Sequence, residues 1–261
     1  MRLRKRLTLE QAAELLDMNR TSLNRIEKGE YRATVHLIRS MMDLYDDWME
    51  DLVDQAREAL KPGWFSQYSL TDWGYVDVET EAVEVHQFCG LNLPGLLQTE
   101  PYMRALFAQG LVPRTAKKLA DDVAVRLIRQ ERLTDEENPL DLVAIVDEAA
   151  LRRRVGGSEL MRGQLDHLLE TAAMPTVTVQ ILPLRDGAHC AMEGGFNLLT
   201  FPEDYNPELL YVEHITGSLH IEEAEQVRVA RLAFDRLRTE ALSPADSVAM
   251  IGQVCAELDE Q

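Results

Sequence analysis

The chain has few cysteines, and their spacing excludes the sites that cysteines usually build. Cys89, Cys190 and Cys255 are the three cysteines among 261 residues, and no two of them form a CxxC pair. Cysteines this far apart are typical of free thiols in a reducing compartment. We expect them to be buried as small apolar side chains rather than used in catalysis.

Long apolar segments are also missing. No apolar run approaches the ~18 residues that a membrane span requires, and the N-terminus has no apolar signal region. We therefore expect a cytoplasmic protein that has no membrane partner.

The sequence lacks the common catalytic motifs as well. It contains no GxGxxG, P-loop, HExxH or GxSxG pattern. His189-Cys190, His214 and His220 could meet only through the fold, and their spacing matches no standard metal site. We predict no catalytic residue, no cofactor and no metal site.

Two pairs of charged residues remain as candidates for a ligand or partner site. Asp147 and Glu148 follow a predicted strand, and the ends of strands are where α/β sheets often bind ligands. Arg126 and Arg129 lie on one face of a helix predicted over 116–132. Each pair also has a structural interpretation. The carboxylates can form a salt-bridged corner with the arginines that follow, and the arginines can form a solvated face or internal ion pairs.

The charge is divided unevenly along the chain. Residues 1–45 hold nine of the 27 basic and six of the 45 acidic residues, which leaves 18 and 39 for the rest. The first segment therefore carries +3 and the remainder −21, within a total of −18. A body of −21 is repelled by a phosphate backbone, so any DNA would be bound by the basic segment, with a dimer holding the acidic mass away. Plain solubility explains the acidic body equally well.

Residues 8–29, TLEQAAELLDMNRTSLNRIEKG, predict two short helices joined by a tight turn. Thr8 and Gln11 have the spacing of a capping box at the first helix, and Asn19 is a suitable N-cap for the second. Gly29 then ends the second helix, as expected of a residue that adopts a positive φ.

The two helices have apolar inner faces, and the second has a polar outer face. The residues predicted to face inward are Ala12, Ala13, Leu15, Leu16, Leu23 and Ile26. The second helix leaves arginines, threonine, asparagine and lysine outside, which is the composition that a helix needs to contact base edges in a DNA groove. Glu27 is predicted to accept hydrogen bonds in a structural role.

This run resembles the Cro-repressor or xenobiotic-response-element type of helix-turn-helix, through Thr8-x-x-Gln11-Ala12-Ala13 and the stretch from Asn19 to Gly29. The resemblance implies that Arg20, Thr21 and Arg25 face base edges of double-stranded DNA. It implies phosphate contacts, which position a protein without specifying sequence, for Ser22, Asn24, Lys28 and Arg32. The alternative is a solvated helix in a helical hairpin.

The segment before the motif departs from that family. Members usually have a full helix here, whereas residues 1–7, MRLRKRL, suffice for about two helical turns. Leu3 and Leu7 are expected to pack against the motif. Either the true start lies upstream of Met1 or the DNA-binding unit is degraded.

The chain is predicted to have an α+β fold in two domains. Domain 1–60 is helical and ends in an acidic helix over 46–60, before Lys61-Pro62-Gly63. Domain 61–261 is an α/β domain with a small sheet flanked by helices. Strands are predicted at Thr80–Phe88, Asp141–Val146, Thr176–Leu184, Phe196–Phe201, Leu209–Glu213 and Ser218–Ile221. Helices are predicted at Ala116–Arg132, Glu148–Val155, Leu160–Ala173, Ile221–Leu242 and Pro244–Leu258.

A second resemblance covers the second domain. The run PGLLQTE at 94–100 followed by Tyr102, then Arg126-x-x-Arg129-Gln130, VDE at 146–148 and VTVQILP at 177–183, is similar to the C-terminal domain of actinobacterial antitoxin-like transcriptional regulators. That family implies a regulator encoded beside a small partner protein. It supplies no characterised ligand or catalytic residue.

Two functions follow from these patterns. The first is a dimeric DNA-binding transcriptional regulator whose second domain senses a small protein or a metabolite. The second is a vestigial helix-turn-helix joined to an α/β domain that binds a small molecule or acts as an enzyme in a biosynthetic pathway.

Overall fold

The computed structural model describes residues 1–29, 33–59, 61, 63–69, 73–202 and 208–259. The chain divides into two compact units, Met1–Ser66 and Gln67–Gln261. The predicted domain limits, 1–60 and 61–261, stay a prediction.

The first unit is helical. Its helices are α1 (Leu9–Leu15), α2 (Arg20–Glu27), α3 (Val35–Tyr45) and α4 (Glu50–Glu58). The helix predicted over 46–60 begins later than expected, because Asp46 adopts a left-handed φ of 46° that ends α3. Leu60, its predicted end, lies outside the described residues.

A small core holds the first three helices together. Its buried residues are Ala12, Ala13, Leu23, Met41 and Tyr45. The prediction that Leu15 belongs to this core is wrong, since Leu15 is 61% exposed. Leu15 lies two residues after Ala13, which is roughly 200° around a helix of ~3.6 residues per turn, so it faces away from the core.

The segment before α1 forms turns instead of two helical turns. Arg4 N donates to Met1 O at 3.1 Å, but Arg6 adopts a φ of 56° and interrupts the helical pattern. Met1 and Leu7 pack against the core of the first unit. The expectation that Leu3 also packs is wrong, because this side chain is exposed.

The second unit contains a six-stranded mixed sheet. Its strands are β1 (Glu84–Cys89), β2 (Asp141–Asp147), β3 (Val177–Leu182), β4 (Phe196–Thr200), β5 (Leu209–His214) and β6 (Gly217–Ile221), in the order β3-β2-β1-β4-β5-β6. The first three are parallel to one another. β4 then pairs antiparallel with β1, β5 with β4, and β6 with β5. A helical unit followed by this sheet confirms the α+β class.

Helices flank the sheet along the whole second unit. They are α5 (Trp73–Glu81), α6 (Glu100–Phe107), α7 (Ala116–Glu131), α8 (Glu148–Arg152), α9 (Ser158–Thr171), α10 (Ala224–Glu240) and α11 (Pro244–Asp259). Val85 and Ala144 belong to a core on one face of the sheet, and α9 and α11 contact each other. Phe88 and Ile145 point to the opposite face, where Phe234 of α10 joins their cluster.

One predicted strand begins too early. The strand predicted over 80–88 starts only at Glu84, because Thr80 and Glu81 are the end of α5. The Thr80 hydroxyl donates a 2.7 Å hydrogen bond to the Val76 carbonyl one turn back. The alternation of apolar and polar residues therefore includes the end of a helix, and it does not show where the helix stops and the strand begins.

Two predicted helices are shorter than expected. The helix predicted over 148–155 ends at Arg152, since Arg153 is extended, with a ψ of 107°. The helix predicted over 221–242 begins at Ala224, because Ile221 still pairs with Leu210 in the sheet.

Candidate nucleic-acid interface

The start of α1 is fixed by two reciprocal hydrogen bonds. Thr8 N donates to Gln11 Oε1 at 2.9 Å, and Gln11 N donates to Thr8 Oγ1 at 3.2 Å. This is the predicted capping box, and it satisfies amides that the first helical turn leaves without partners.

The turn between α1 and α2 is set by backbone conformation and by a second cap. Asp17 adopts a φ of 50°, and Met18 N donates to Ala13 O at 2.9 Å. Asn19 Oδ1 then accepts the amide of Ser22 at 2.7 Å and caps α2. The capping role predicted for Asn19 is confirmed.

α2 buries one face and exposes the other. Leu23 is fully buried, and Ile26 packs partly buried against the same core. The exposed residues of α2 and its C-cap are Arg20, Thr21, Arg25 and Lys28, whereas Ser22 and Asn24 are half-buried. Arg32, the remaining residue predicted to contact DNA, lies outside the described residues.

Carboxylates lie beside some of the basic side chains of this unit. Arg20 Nε is 2.7 Å from Glu10 Oε1, and Arg4 Nη2 is 2.8 Å from Asp47 Oδ2. Arg20, Glu10 and Arg4 are exposed, and such pairs contribute roughly 0–1 kcal/mol to stability. A phosphate or a base edge can therefore compete with Glu10 for Arg20.

Glu27 accepts hydrogen bonds, as predicted, and its partner is Arg2. Arg2 Nε and Nη2 donate to the two carboxylate oxygens at 2.6 and 2.8 Å, and Arg2 Nη1 donates to Leu7 O at 2.8 Å. These hydrogen bonds to Glu27 raise the pKa of Arg2. Arg2 thus ties the segment before α1 to the end of α2. Sequence reasoning missed this role because the two residues are 25 positions apart.

In the second unit, Asp147 and Glu148 form a corner at the end of β2. Asp147 Oδ1 caps α8 by accepting the Ala149 amide at 2.8 Å. Glu148 Oε1 accepts from Arg152 Nε at 2.6 Å, and its Oε2 accepts the Leu184 amide at 2.9 Å. Both carboxylates are therefore engaged in local structure.

Arg126 and Arg129 belong to a separate network around α7. Arg129 donates to both carboxylate oxygens of Glu79, at 2.6 and 2.7 Å. Arg126 Nη1 donates to Gln98 Oε1 at 2.5 Å. No contact among the described residues joins these arginines to Asp147 or Glu148, so the four predicted residues are not gathered at one place.

Gln98 and Gln130, two glutamines of the second resemblance, and Gln164 of α9 hold the PGLLQTE run in place. Gln98 Nε2 donates to Leu93 O, Gln130 Nε2 to Gln98 O, and Gln164 Nε2 to Leu97 O, each at 2.7 Å. Because the acceptors are main-chain carbonyls of one loop, these side chains replace the hydrogen bonds that a regular element would make.

The histidines considered for a metal site have unrelated partners. His189 Nε2 lies 3.5 Å from Asp147 Oδ2, His214 Nδ1 contacts the Thr216 hydroxyl, and the His220 ring packs against Tyr211. Within the described ranges, no group of three or more His, Cys, Asp or Glu side chains could hold a metal ion.

His86 is a buried histidine beside a guanidinium. Its Nδ1 lies 2.8 Å from Arg231 Nη1, and Arg231 also pairs with Glu208. Burial lowers the pKa of His86 to about 4, and the charges of Arg231 and Arg238 contribute to the shift. In the unfolded chain, His86 binds a proton near pH 6.5. The contribution of His86 to the free energy of unfolding is therefore complete above pH 6.5, and it falls as the pH is lowered from 6.5 to 4.

We expect the contribution of His86 to the free energy of unfolding to fall by roughly 1–2 kcal/mol between pH 7.5 and pH 5.0. Urea denaturation of the wild type and of His86→Gln at both pH values measures it. The pH difference should shrink in His86→Gln and persist in His214→Gln, a change at an exposed histidine. Equal pH differences in all three proteins would contradict the assignment.

None of the helices in the described part of the chain is long and apolar enough to cross a membrane.

Comparisons with known families match both parts of the chain. A family model described as "Domain of unknown function (DUF5753)" matches residues 74–253, and one described as "Helix-turn-helix domain" matches residues 1–55. No curated protein and no solved structure matches the chain.

Proposed function

The chain belongs to the DUF5753 family, and from that membership and its N-terminal helix-turn-helix domain we propose that it is a dimeric DNA-binding transcriptional regulator. The observation that carries the proposal is the outer face of α2. The side chains of Arg20, Thr21 and Arg25 are exposed there, whereas Leu23, on the inner face of the same helix, is fully buried. A helix held by a core on one face and offering donors on the other has the composition of a recognition helix.

In this proposal the polar residues of the helix-turn-helix divide between two tasks. Arg20, Thr21 and Arg25 contact base edges and specify the sequence. The residues that contact phosphates and position the protein are Ser22, Asn24, Lys28 and Arg32. The exposure of Arg20, Thr21, Arg25 and Lys28 supports this division.

A dimer fits the charge of the chain. The −21 body is repelled by DNA, whereas residues 1–45 carry +3. Two copies place two basic segments on one duplex and double the favourable contacts with phosphates.

In the proposal, the second unit detects a signal, and we call this its receiving role. It senses a small protein encoded nearby or a metabolite, as the resemblance to antitoxin-like, repressor-type regulators implies. The candidate contacts are Asp147, Glu148, Arg126 and Arg129. Because the proposed partner is DNA inside the cell, the proposal also supports a cytoplasmic location.

Replacing Arg20 and Arg25 together by alanine should weaken binding to DNA from the protein's own promoter region by about 30-fold or more, since each arginine that contacts a base contributes ~1–3 kcal/mol. Gel retardation over a series of salt concentrations measures this loss, and circular dichroism checks that the fold is intact.

The matched control removes two positive charges from other helices of the same unit, by Arg39→Ala with Arg57→Ala. Both arginines are exposed, on α3 and α4. The control should bind DNA within a few-fold of wild type, because lost net charge alone lowers affinity weakly and in a salt-dependent way. Equal losses in the two double variants, or no retardation by the wild type, would overturn the proposal.

One observation favours the alternative function, in which the helix-turn-helix is vestigial and the second unit binds a small molecule. A small cavity of about 250 Å³, partly open to solvent, lies beside β3 and the start of α11, lined by Ala172, Val177, Thr178, Val179, Pro244, Ala245 and Val248. Ligand pockets usually measure ~300–1,000 Å³, and this lining has no titratable side chain. The cavity therefore supports binding of a small group more than catalysis. A metabolite that stays bound through purification would favour this alternative function.

A further inference from the structure

Arg126 occupies an unusual place on α7. Its guanidinium lies over the Phe107 ring, 4.8 Å from the centroid, and the same group approaches Gly95, where a side-chain Cβ would lie 3.6 Å from Nε, an ordinary contact distance. Arg126 Nη1 donates a 2.5 Å hydrogen bond to Gln98, a neutral amide that is itself buried. The Nε atom is buried and has no hydrogen-bond partner among the described residues.

Two of the carboxylates near Arg126, Glu79 and Asp122, are already occupied by other cations. Glu79 accepts both its hydrogen bonds from Arg129. Asp122 pairs with Arg114 at 2.8 Å and with Lys118 at 2.5 Å. Glu213 also acts on Arg126 through its charge, but Arg126 forms no ion pair with any of these carboxylates within the described part of the chain.

A guanidinium whose Nε is buried without a hydrogen-bond partner is unfavourable unless something compensates it. Burial, and next the like charge of Arg129, lower the pKa of Arg126 to about 10. The guanidinium of Arg114 also lies over the Phe107 ring, 4.6 Å from the centroid. Two guanidinium groups thus lie against Phe107, and that of Arg126 has no paired carboxylate among the described residues.

We propose that Arg126 binds an oxyanion, the carboxylate or phosphate group of a small ligand, with Phe107 as an apolar contact beside it. Arg126 and Phe107 are only partly buried, so solvent reaches the site. A guanidinium held on one side by Gln98 offers its remaining N–H groups as a planar fork, which suits two acceptor oxygens of one anion. This inference deepens the receiving role proposed for the second unit and rests on it, but it does not require DNA binding.

Thermal unfolding of the full chain tests the site, with inorganic phosphate or acetate added at constant ionic strength. A bound anion should raise Tm saturably, by about 5–10 °C at a hundredfold excess over Kd. Arg126→Gln should abolish the saturable rise. The matched control is Arg104→Gln, which removes an exposed arginine of α6 that is paired with Glu100; it should respond as wild type does.

The two anions separate the sources of the ligand group. A rise with phosphate alone assigns a phosphate ligand, a rise with acetate alone assigns a carboxylate, and comparable rises assign a general oxyanion site. No saturable rise in the wild type, or the same rise in Arg126→Gln, would overturn the proposal.

Two further measurements cover the case in which Arg126→Gln does not fold. Arg126→Lys keeps the charge but loses the planar fork, so its affinity for the anion should fall at least about tenfold. In wild-type protein, the Nε–H resonance of Arg126 should shift as the anion saturates, and an unchanged resonance contradicts the site. Because these experiments contain no DNA, their failure is distinct from failure of the proposed DNA binding.

Discussion

Glu79→Gln is expected to lower the free energy of unfolding of the second unit by about 3–5 kcal/mol. Glu79 is 2% exposed and Arg129 12% exposed, and two hydrogen bonds of 2.6 and 2.7 Å join them. Burial alone lowers the pKa of Arg129, but the charge and hydrogen bonds of Glu79 outweigh it and raise the pKa. Glutamine keeps the shape of glutamate and removes its charge, so it leaves a buried guanidinium without a counter-ion.

Urea denaturation at pH 7.5 measures the loss, and an exposed pair provides the control. Glu100 and Arg104 are spaced i,i+4 on α6 with nearly half of each side chain exposed, so Glu100→Gln should cost less than ~1 kcal/mol. The double variant Glu79→Leu with Arg129→Met should recover much of the stability, because it removes both buried charges. A loss below 1 kcal/mol in Glu79→Gln would show that water reaches the pair.

Leu23→Ala is expected to destabilise the helix-turn-helix by about 2–5 kcal/mol and to remove DNA retention with it. Leu23 is fully buried in a core with few other buried members. The first unit ends at Ser66, and units of this size have little stability to lose. Hydrogen exchange of peptides covering α1 and α2, measured by mass spectrometry, reports the local loss.

Leu15→Ala is the matched control, the same change eight residues earlier in the same motif. Leu15 is 61% exposed, so its truncation should change stability by less than ~0.5 kcal/mol. Similar exchange rates in the two variants would mean that Leu15 is buried in solution and that the placement of α1 is wrong.

The helix-turn-helix was predictable because its determinants are local. The capping box of Thr8 and Gln11, the Asn19 cap and the positive φ of Gly29 each depend on atoms within a few residues. The cap of α6 is equally local, since the Thr99 side chain accepts from the Tyr102 amide three residues later. Leu15 was assigned to the wrong face because apolar character was read without the angular position.

The site residues of the second unit were less predictable. Periodicity places Arg126 and Arg129 on one helix face, but it does not show which residues pack against that face. The partner of Arg129 lies 50 residues away, at Glu79. The strand order could not be read from the sequence either, since β1 pairs with two strands that both follow it at long range.

This pairing of β1 has a consequence for the order in which the chain folds. Glu84 meets Asp141 on one side and Thr200 on the other, so the central strand cannot complete its hydrogen bonds until β4 has been synthesised. The hairpin of β5 and β6 closes locally, whereas β1 with β4 closes a loop of more than a hundred residues. We expect closure of β1 against β4 to limit the folding rate of the second unit. During synthesis, the helix-turn-helix would then be formed while the sheet is still unfinished.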